Sequence, residues 1–194
     1  MENKITLRAI WLYVVHWMWE IIPRINPIAR PSVDFLKKII KEDITVVEIG
    51  TLHGFNALAI LNTLPVKKIY LVDPYDDYTD NKEFHITGDK ILNEAKKRLK
   101  KYMGKIVFIR KYSENAIDDI KEKVDFVYID GNHDYEYVKK DIELYYKKIK
   151  SGGILAGHDF DTGSLGVCKA VIEFSEKNNL KLEVNEADWW FIKP

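Results

Sequence analysis

The sequence lacks paired cysteines, an excess of either charge and an apolar run of bilayer length. Cys168 is its single cysteine, so an internal disulfide framework is excluded and a reducing, cytoplasmic setting is expected. Lys plus Arg number 30, as do Asp plus Glu, so no net field attracts nucleic acid, and we expect no nucleic-acid partner. The 46% hydrophobic content suits a globular domain with a core of its own.

The most apolar stretch lies near the N-terminus, at residues 9–22, and contains Trp11, Trp17 and Trp19. It is shorter than the ~20 residues that a membrane-spanning helix needs. We expect a helix that is buried at a homodimer interface or over a substrate pocket. Peripheral membrane contact through the tryptophans is one alternative, and a membrane span or signal peptide is another.

We divide the chain into an N-terminal helical segment, residues 1–43, and a main domain, residues 44–194. In the main domain, short apolar runs alternate with stretches of helical periodicity, which predicts a parallel, doubly wound α/β sheet. Such sheets bind ligands beyond the carboxyl ends of their strands. The predicted strands are 44–50, 68–73, 105–110, 124–130 and 153–159, and the predicted helices are 55–63, 88–103, 113–122 and 136–150.

The two ends of this pattern add further elements. A helix capped by Ser32 is expected before the first strand. Near the C-terminus, a helix at about 166–177 leads into runs at 180–184 and 188–193, and their short connection predicts an antiparallel pair at one sheet edge. The helix that Ser32 is expected to cap has an apolar face, which contains Val33, Leu36, Ile39 and Ile40.

Glycines and acids cluster where the first two strands end. Gly50 and Gly54 follow a strand that contains Glu48, and glycine lets the backbone approach a ligand closely. Their spacing differs from the G-x-G-x-x-G dinucleotide fingerprint. Asp73 ends the second strand, where an acid either binds both hydroxyls of a ribose or forms a turn. Ser113 follows the third strand and either caps a helix or contacts an adenine edge.

A second set of polar residues ends the fourth and fifth strands. Carboxylates there can hold Mg²⁺, which lowers the pKa of a bound hydroxyl, and a nearby imidazole can take the proton. We predict Asp130 and Asp159 as metal ligands, His158 as a third ligand and His133 as the base. The alternatives are loop capping for the two acids and a structural histidine at 133. If Asp130 and Asp159 are not the ligands, the nearby acids Asp134 and Asp161 are the alternative candidates.

Four segments resemble the class I S-adenosylmethionine-dependent methyltransferases, and within them the small-molecule O-methyltransferase branch with sugar-modifying and catechol-type enzymes. These segments are VEIGTLHGFNALAI, IYLVDPY, VDFVYIDGNHDYEYVKKDIELYYKKIKSGGILAGHDF and GVCKAVIEF, between residues 44 and 177. The resemblance implies a Rossmann-like sheet of seven strands, mostly parallel with the last strand antiparallel, preceded by N-terminal helices.

The resemblance also implies S-adenosylmethionine as cofactor and a divalent cation, Mg²⁺ or another. The implied cofactor-binding residues are Glu48, Gly50, Thr51, Gly54, Asp73, Ser113, Glu114 and Asp130. The implied metal ligands are Asp130, His158 and Asp159, and the implied catalytic residues are His133 and Asp130.

We therefore expect a methyl transfer to a hydroxyl of a small molecule, a sugar or a phenolic compound. Two rival functions share parts of this pattern. A nicotinamide-dependent oxidoreductase has the same acidic ribose contact, although the glycine spacing disfavours it. A non-catalytic, membrane-associated binding protein would use the Trp-rich N-terminus for docking.

Overall fold

A computed structural model of the chain describes residues 29–76, 78–79 and 85–194. The Trp-rich stretch at 9–22 lies outside these residues, so its predicted homodimer or membrane contact stays a prediction. Within the described part, no helix has both the length and the apolar composition that a membrane crossing requires.

The main sheet has seven strands in the order β5-β2-β1-β6-β7-β9-β8. Its strands pair in parallel, except that β9 is antiparallel to both β7 and β8. This arrangement confirms the predicted doubly wound sheet and the predicted antiparallel pair at one edge, formed by β8 and β9. The strands are β1 Ile44–Ile49, β2 Val66–Val72, β3 Tyr78–Thr79, β4 His85–Ile86, β5 Ile106–Ile109, β6 Val124–Ile129, β7 Ile149–Gly157, β8 Glu183–Asn185 and β9 Asp188–Ile192, with β3 and β4 forming a separate antiparallel pair.

Six α-helices are described, and two of the helical stretches predicted from the sequence are too long. The helix predicted at 136–150 ends at Tyr146, because Ile149 already begins the strand Ile149–Gly157. The residues after Ala116 form turns instead of continuing the predicted helix 113–122, because the chain must turn back to enter β6 at Val124. The N–H of Asp119 donates to the Ala116 carbonyl (3.0 Å) in this turn. The helices are α1 Pro31–Ile39, α2 Phe55–Thr63, α3 Gly88–Arg98, α4 Ser113–Ala116, α5 Tyr135–Tyr146 and α6 Leu165–Asn178, and a 3-10 helix spans Lys100–Lys105.

Helices cover both faces of the sheet, which explains the uniformly apolar strands. All six residues of β1 are buried. On one face, Val47 shares a core cluster with Val138 of α5, and on the other face Val46 shares a cluster with Val33 of α1. Side chains alternate across a strand, so neighbouring valines of β1 contribute to different cores.

The first helix departs from its prediction in two respects. Arg30 occupies the N-cap position and Pro31 begins the helix, whereas Ser32 lies inside the first turn and caps nothing. The buried Ser32 instead donates its hydroxyl (2.6 Å) and its backbone N–H (3.1 Å) to Oδ2 of Asp188 in β9. Ile39 is 45% exposed and lies off the predicted apolar face, whereas Ile40 packs against the same core cluster as Val33 and Leu36.

Candidate active site

The polar residues that follow β1, β6 and β7 lie side by side, because hydrogen bonding between these strands continues past their ends. The N–H of Asp130 donates to the Ile49 carbonyl (2.8 Å), and the N–H of His158 donates to the Ile129 carbonyl (3.1 Å). The predicted meeting of the two polar clusters at one sheet edge is thereby confirmed.

The turn after β1 needs glycine at two positions. Gly50 has a φ of +84°, and a Cβ there would lie 2.0 Å from the carbonyl oxygen of Asp130. Gly54 has a φ of +76° and forms the N-cap of α2, where a Cβ would lie 3.0 Å from the side chain of Leu99. A side chain at Gly50 would therefore push the β1 turn away from the end of β6.

The Asp73 carboxylate organises the same turn. Its Oδ2 accepts a hydrogen bond from the backbone N–H of Leu52, and its Oδ1 accepts one from that of Tyr75, both at 2.8 Å. Leu52 and Tyr75 both have positive φ values, 46° and 49°, which are unfavourable for bulky residues. Asp73 therefore stabilises two strained positions while its carboxylate lines the cavity beside them.

Glu48 is buried beneath this turn with part of its hydrogen-bonding capacity unused. Its Oε1 accepts from Nδ2 of Asn56 (2.9 Å), whereas its Oε2 and the hydroxyl of Thr51 are buried without a well-aligned partner among the described residues. Burial raises the pKa of Glu48 to about 8, opposed by the hydrogen bond from Asn56. Unsatisfied buried polar atoms beside a cavity are typical of a site that a polar ligand or water completes.

At the opposite end of the cavity, Ser113 begins α4 and its hydroxyl donates to Asp141 of α5. The N-cap of α4 is Tyr112, so the predicted capping role of Ser113 is wrong. Burial raises the pKa of Asp141 to about 6, opposed by the Ser113 hydrogen bond. Glu114 lies outside the cavity lining and pairs with Lys140.

These residues surround an open cavity of about 680 Å³, a volume within the range of small-molecule and cofactor sites. Of the predicted cofactor residues, Glu48, Gly54 and Glu114 do not line it. The lining residues that the sequence interpretation singled out are Gly50, Thr51, Asp73, Ser113, Asp130 and His133, and those it missed include Arg30, Asn56, Tyr112, Tyr137 and Asp141.

Asp130, His133 and Asp159 form a compact group that could hold a metal ion, with ligand atoms within 4.8 Å of one another. Nε2 of His133 lies 3.0 Å from Oδ2 of Asp159. Burial raises the pKa of Asp130 to about 6, whereas the hydrogen bond from His158 lowers the pKa of Asp159. Asp159 has a φ of +61°, so the backbone after β7 is strained where the carboxylates meet.

His158 differs from its predicted place as a third metal ligand, because both ring nitrogens already have partners. Nδ1 lies 3.1 Å from Oδ1 of Asp159, and Nε2 contacts the guanidinium of Arg30. The hydrogen bond to Asp159 raises the pKa of His158, opposed by its burial. His133 is instead the histidine that offers a ring nitrogen within 4.8 Å of carboxylate oxygens of Asp130 and Asp159, and the ligand role of His158 stays a prediction.

Of the residues that the sequence interpretation missed, Asp141 could have been predicted from the sequence, whereas Arg30 could not. Asp141 lies three residues after Val138 and four before Tyr145, so it is an acid on the buried face of α5. A carboxylate on an apolar helix face is a signal for a buried polar site. Arg30 carries no such signal, because only the fold brings the N-cap of α1 to the ends of β6 and β7.

The chain contains a methyltransferase domain. Residues 47–160 match the model of the methyltransferase-domain family, and the chain belongs to that family. Its fold is that of the class I S-adenosylmethionine-dependent methyltransferases, which confirms the resemblance seen in the sequence.

Individual relatives are distant. An uncharacterised protein of Acanthamoeba polyphaga mimivirus is 28% identical over 128 residues, which cover 62% of this chain and 53% of that protein, so the chain spans about half of its length. A Staphylococcus aureus structure described as a caffeoyl-CoA O-methyltransferase has a TM-score of 0.64 at 16% identity and covers 97% of this chain and 100% of that one. An rRNA methylase of Streptococcus thermophilus has a TM-score of 0.58 at 21% identity, covering 84% and 95%.

Proposed function

We propose that this protein transfers a methyl group from S-adenosylmethionine to a hydroxyl of a small molecule, a sugar or a phenolic compound. The observation that carries the proposal is the compact group of Asp130, His133 and Asp159 at the rim of a cavity that also contains the glycine turn. A methyl-transfer enzyme needs a donor site and a proton-accepting group at one place, and this rim offers both.

The residues around the cavity fit the donor. Asp73 and Ser113 line it from β2 and α4, and they supply acceptors for ribose hydroxyls and an adenine edge. The glycine turn packs directly on the backbone of Asp130, because a Cβ at Gly50 would lie 2.0 Å from its carbonyl oxygen, and this places both segments along the same cavity. Glu48 does not line the cavity, and its Oε1 accepts a hydrogen bond from Asn56 of α2, which does line it.

His133 is the proposed base. When its Nε2–H donates to Asp159 Oδ2, at 3.0 Å, the neutral ring carries its acceptor lone pair on Nδ1. Asp159 thereby fixes the ring orientation and stabilises the imidazolium that forms when the acceptor hydroxyl gives up its proton. S-adenosylmethionine, when bound, would supply a sulfonium methyl group whose bond to sulfur breaks as the deprotonated acceptor oxygen attacks the methyl carbon in line, with S-adenosylhomocysteine as the leaving group.

A divalent cation would be held by Asp130 and Asp159, with His133 as a third candidate ligand. Carboxylate oxygens are the ligands that Mg²⁺ prefers, and such an ion lowers the pKa of a bound hydroxyl. If His133 ligates the ion, it cannot at the same time accept a proton on that nitrogen. The two roles of His133 are therefore separable by metal titration.

Calorimetric titration with S-adenosylhomocysteine tests the donor half of the proposal. We expect saturable binding at one site per chain. A screen of catechols and sugars for release of S-adenosylhomocysteine tests the acceptor half, with ribosomal RNA as the contrasting acceptor. Binding of the cofactor without turnover of any small hydroxylated acceptor, together with methylation of RNA, would reject the small-molecule assignment.

A further inference from the structure

Arg30 brings a positive charge from outside the main domain to the rim of the cavity. One guanidinium nitrogen contacts Nε2 of His158, and the other lies 3.9 Å from Oδ2 of Asp130. The side chain is 36% exposed and lines the cavity. A guanidinium has five N–H donors, so these two contacts leave donors for a ligand.

The backbone next to Arg30 is anchored by buried hydrogen bonds. Arg30 is the N-cap of α1, and the next residue but one, Ser32, is bonded twice to the buried Asp188. Asp188 Oδ1 also accepts from the hydroxyl of Tyr128 in β6 (2.8 Å). The start of α1 is therefore anchored to β6 and β9, and a preorganised guanidinium loses little freedom on binding a ligand.

The charges at this rim suit a zwitterion. Arg30 and the carboxylate of Asp130 stand next to each other, which presents a positive and a negative group to the same ligand end. Lys111, the other lysine or arginine that lines the described cavity, lies beside Ser113 and is paired with Asp119 at 2.7 Å. A ligand carboxylate at the Asp130 end would therefore meet Arg30.

We propose that Arg30 binds the carboxylate at the methionine end of the methyl donor. The inference rests on the proposed function, since it needs the donor in this cavity with its adenosine toward Ser113. An Arg guanidinium matches a carboxylate with two parallel hydrogen bonds, whereas a lysine presents one point charge. Arg30 is thus a donor-binding residue supplied by the segment that precedes the first strand.

The test compares two ligands that differ in the amino-acid group. S-adenosylhomocysteine carries the carboxylate, and 5′-methylthioadenosine lacks it. In calorimetric titrations of the full chain, we expect Arg30→Gln to lower the affinity for S-adenosylhomocysteine about 10- to 100-fold. The affinity for 5′-methylthioadenosine should fall less than about threefold. The affinity of Arg30→Lys for S-adenosylhomocysteine should lie between those of the wild type and Arg30→Gln, whereas its affinity for 5′-methylthioadenosine should not show this order.

Lys111→Gln is the matched control, because it removes the same charge from the opposite end of the cavity. It should leave the ratio of the two affinities within about threefold of the wild-type ratio. Thermal unfolding without ligand checks that each variant is folded. If Arg30→Gln does not fold, the comparison of the two ligands is made with Arg30→Lys.

Three outcomes would count against the inference in different ways. Equal weakening of both ligands by the Arg30 variants would assign Arg30 a structural role. Unchanged affinity for S-adenosylhomocysteine would show that Arg30 does not bind the donor, and the guanidinium would then be assigned to a carboxylate of the acceptor. Failure of the wild type to bind either ligand would instead reject the proposed function itself.

Discussion

Asp188 Oδ2 accepts hydrogen bonds from both the hydroxyl (2.6 Å) and the backbone N–H (3.1 Å) of Ser32. The pair connects the helix before the first strand to the last strand of the sheet. Because Arg30 caps the same helix, the contact also determines where a positive charge reaches the carboxylates at the strand ends.

Ser32→Ala should lower the free energy of unfolding by about 1.5–3 kcal/mol, because it removes a buried hydrogen bond to a carboxylate. Ser164→Ala is the control, since Ser164 is an N-cap residue whose side chain makes no capping bond. Urea denaturation of both variants measures the difference. Equal stability of the two would show that the buried contact contributes nothing.

Asp73→Asn should weaken the binding of S-adenosylhomocysteine about tenfold or more. An amide keeps one acceptor oxygen, so the N–H of Leu52 or of Tyr75 loses its partner and the strained turn loosens. Titration calorimetry measures the change, with the exposed Asp118→Asn as the charge-matched control. An unaltered affinity for Asp73→Asn would place the ribose elsewhere.

Glu48 should make the protein less stable as the pH rises. Burial raises its pKa in the folded state from 4.5 to about 8, so the folded protein binds more protons than the unfolded chain between these values. The free energy of unfolding then falls with pH by up to about 1.4 kcal/mol per unit across this window. Glu48→Gln should flatten the slope in urea denaturation from pH 5 to pH 8, and an unchanged slope would mean that Glu48 stays charged.

Mn²⁺ binding distinguishes the two possible ligand sets. Asp159→Asn should lower the affinity for Mn²⁺ about tenfold or more. His158→Gln should change this affinity less than about threefold, because both ring nitrogens of His158 already have partners. Electron paramagnetic resonance of the free ion measures the affinity without any turnover. A loss of Mn²⁺ affinity in His158→Gln as large as that in Asp159→Asn would restore the ligand set predicted from sequence, and no binding by the wild type would remove the metal from the proposal.

His133→Gln should lower kcat for an accepted small molecule about 100-fold or more, since general-base catalysis contributes effects of this size. The affinity for S-adenosylhomocysteine should stay unchanged, because His133 serves the acceptor. Asp134→Asn, an exposed neighbour, is the control. A loss of cofactor affinity in His133→Gln that equals the loss of rate would show that the histidine supports binding instead of proton transfer.

The alternation of apolar runs was enough to predict the sheet and its ligand-binding edge, because strands covered on both faces must be apolar throughout. It also placed Asp130 and Asp159 correctly at the ends of neighbouring strands. Short-range turn chemistry was less reliable. Ser32 and Ser113 both had the residue type of a helix cap, yet each donates instead to a buried acid on a distant element.

The sequence by itself determined the fold class, the glycine turn and the two carboxylates, since these depend on periodicity and on residues at strand ends. Only the tertiary structure decided the partners of each polar group. The positions of Asp141, Arg30 and His133 around the cavity depend on how α1, α5 and the loop after β6 pack against the sheet. Hydrogen bonds between elements far apart in the chain leave no local pattern, because their geometry exists only after the core has packed.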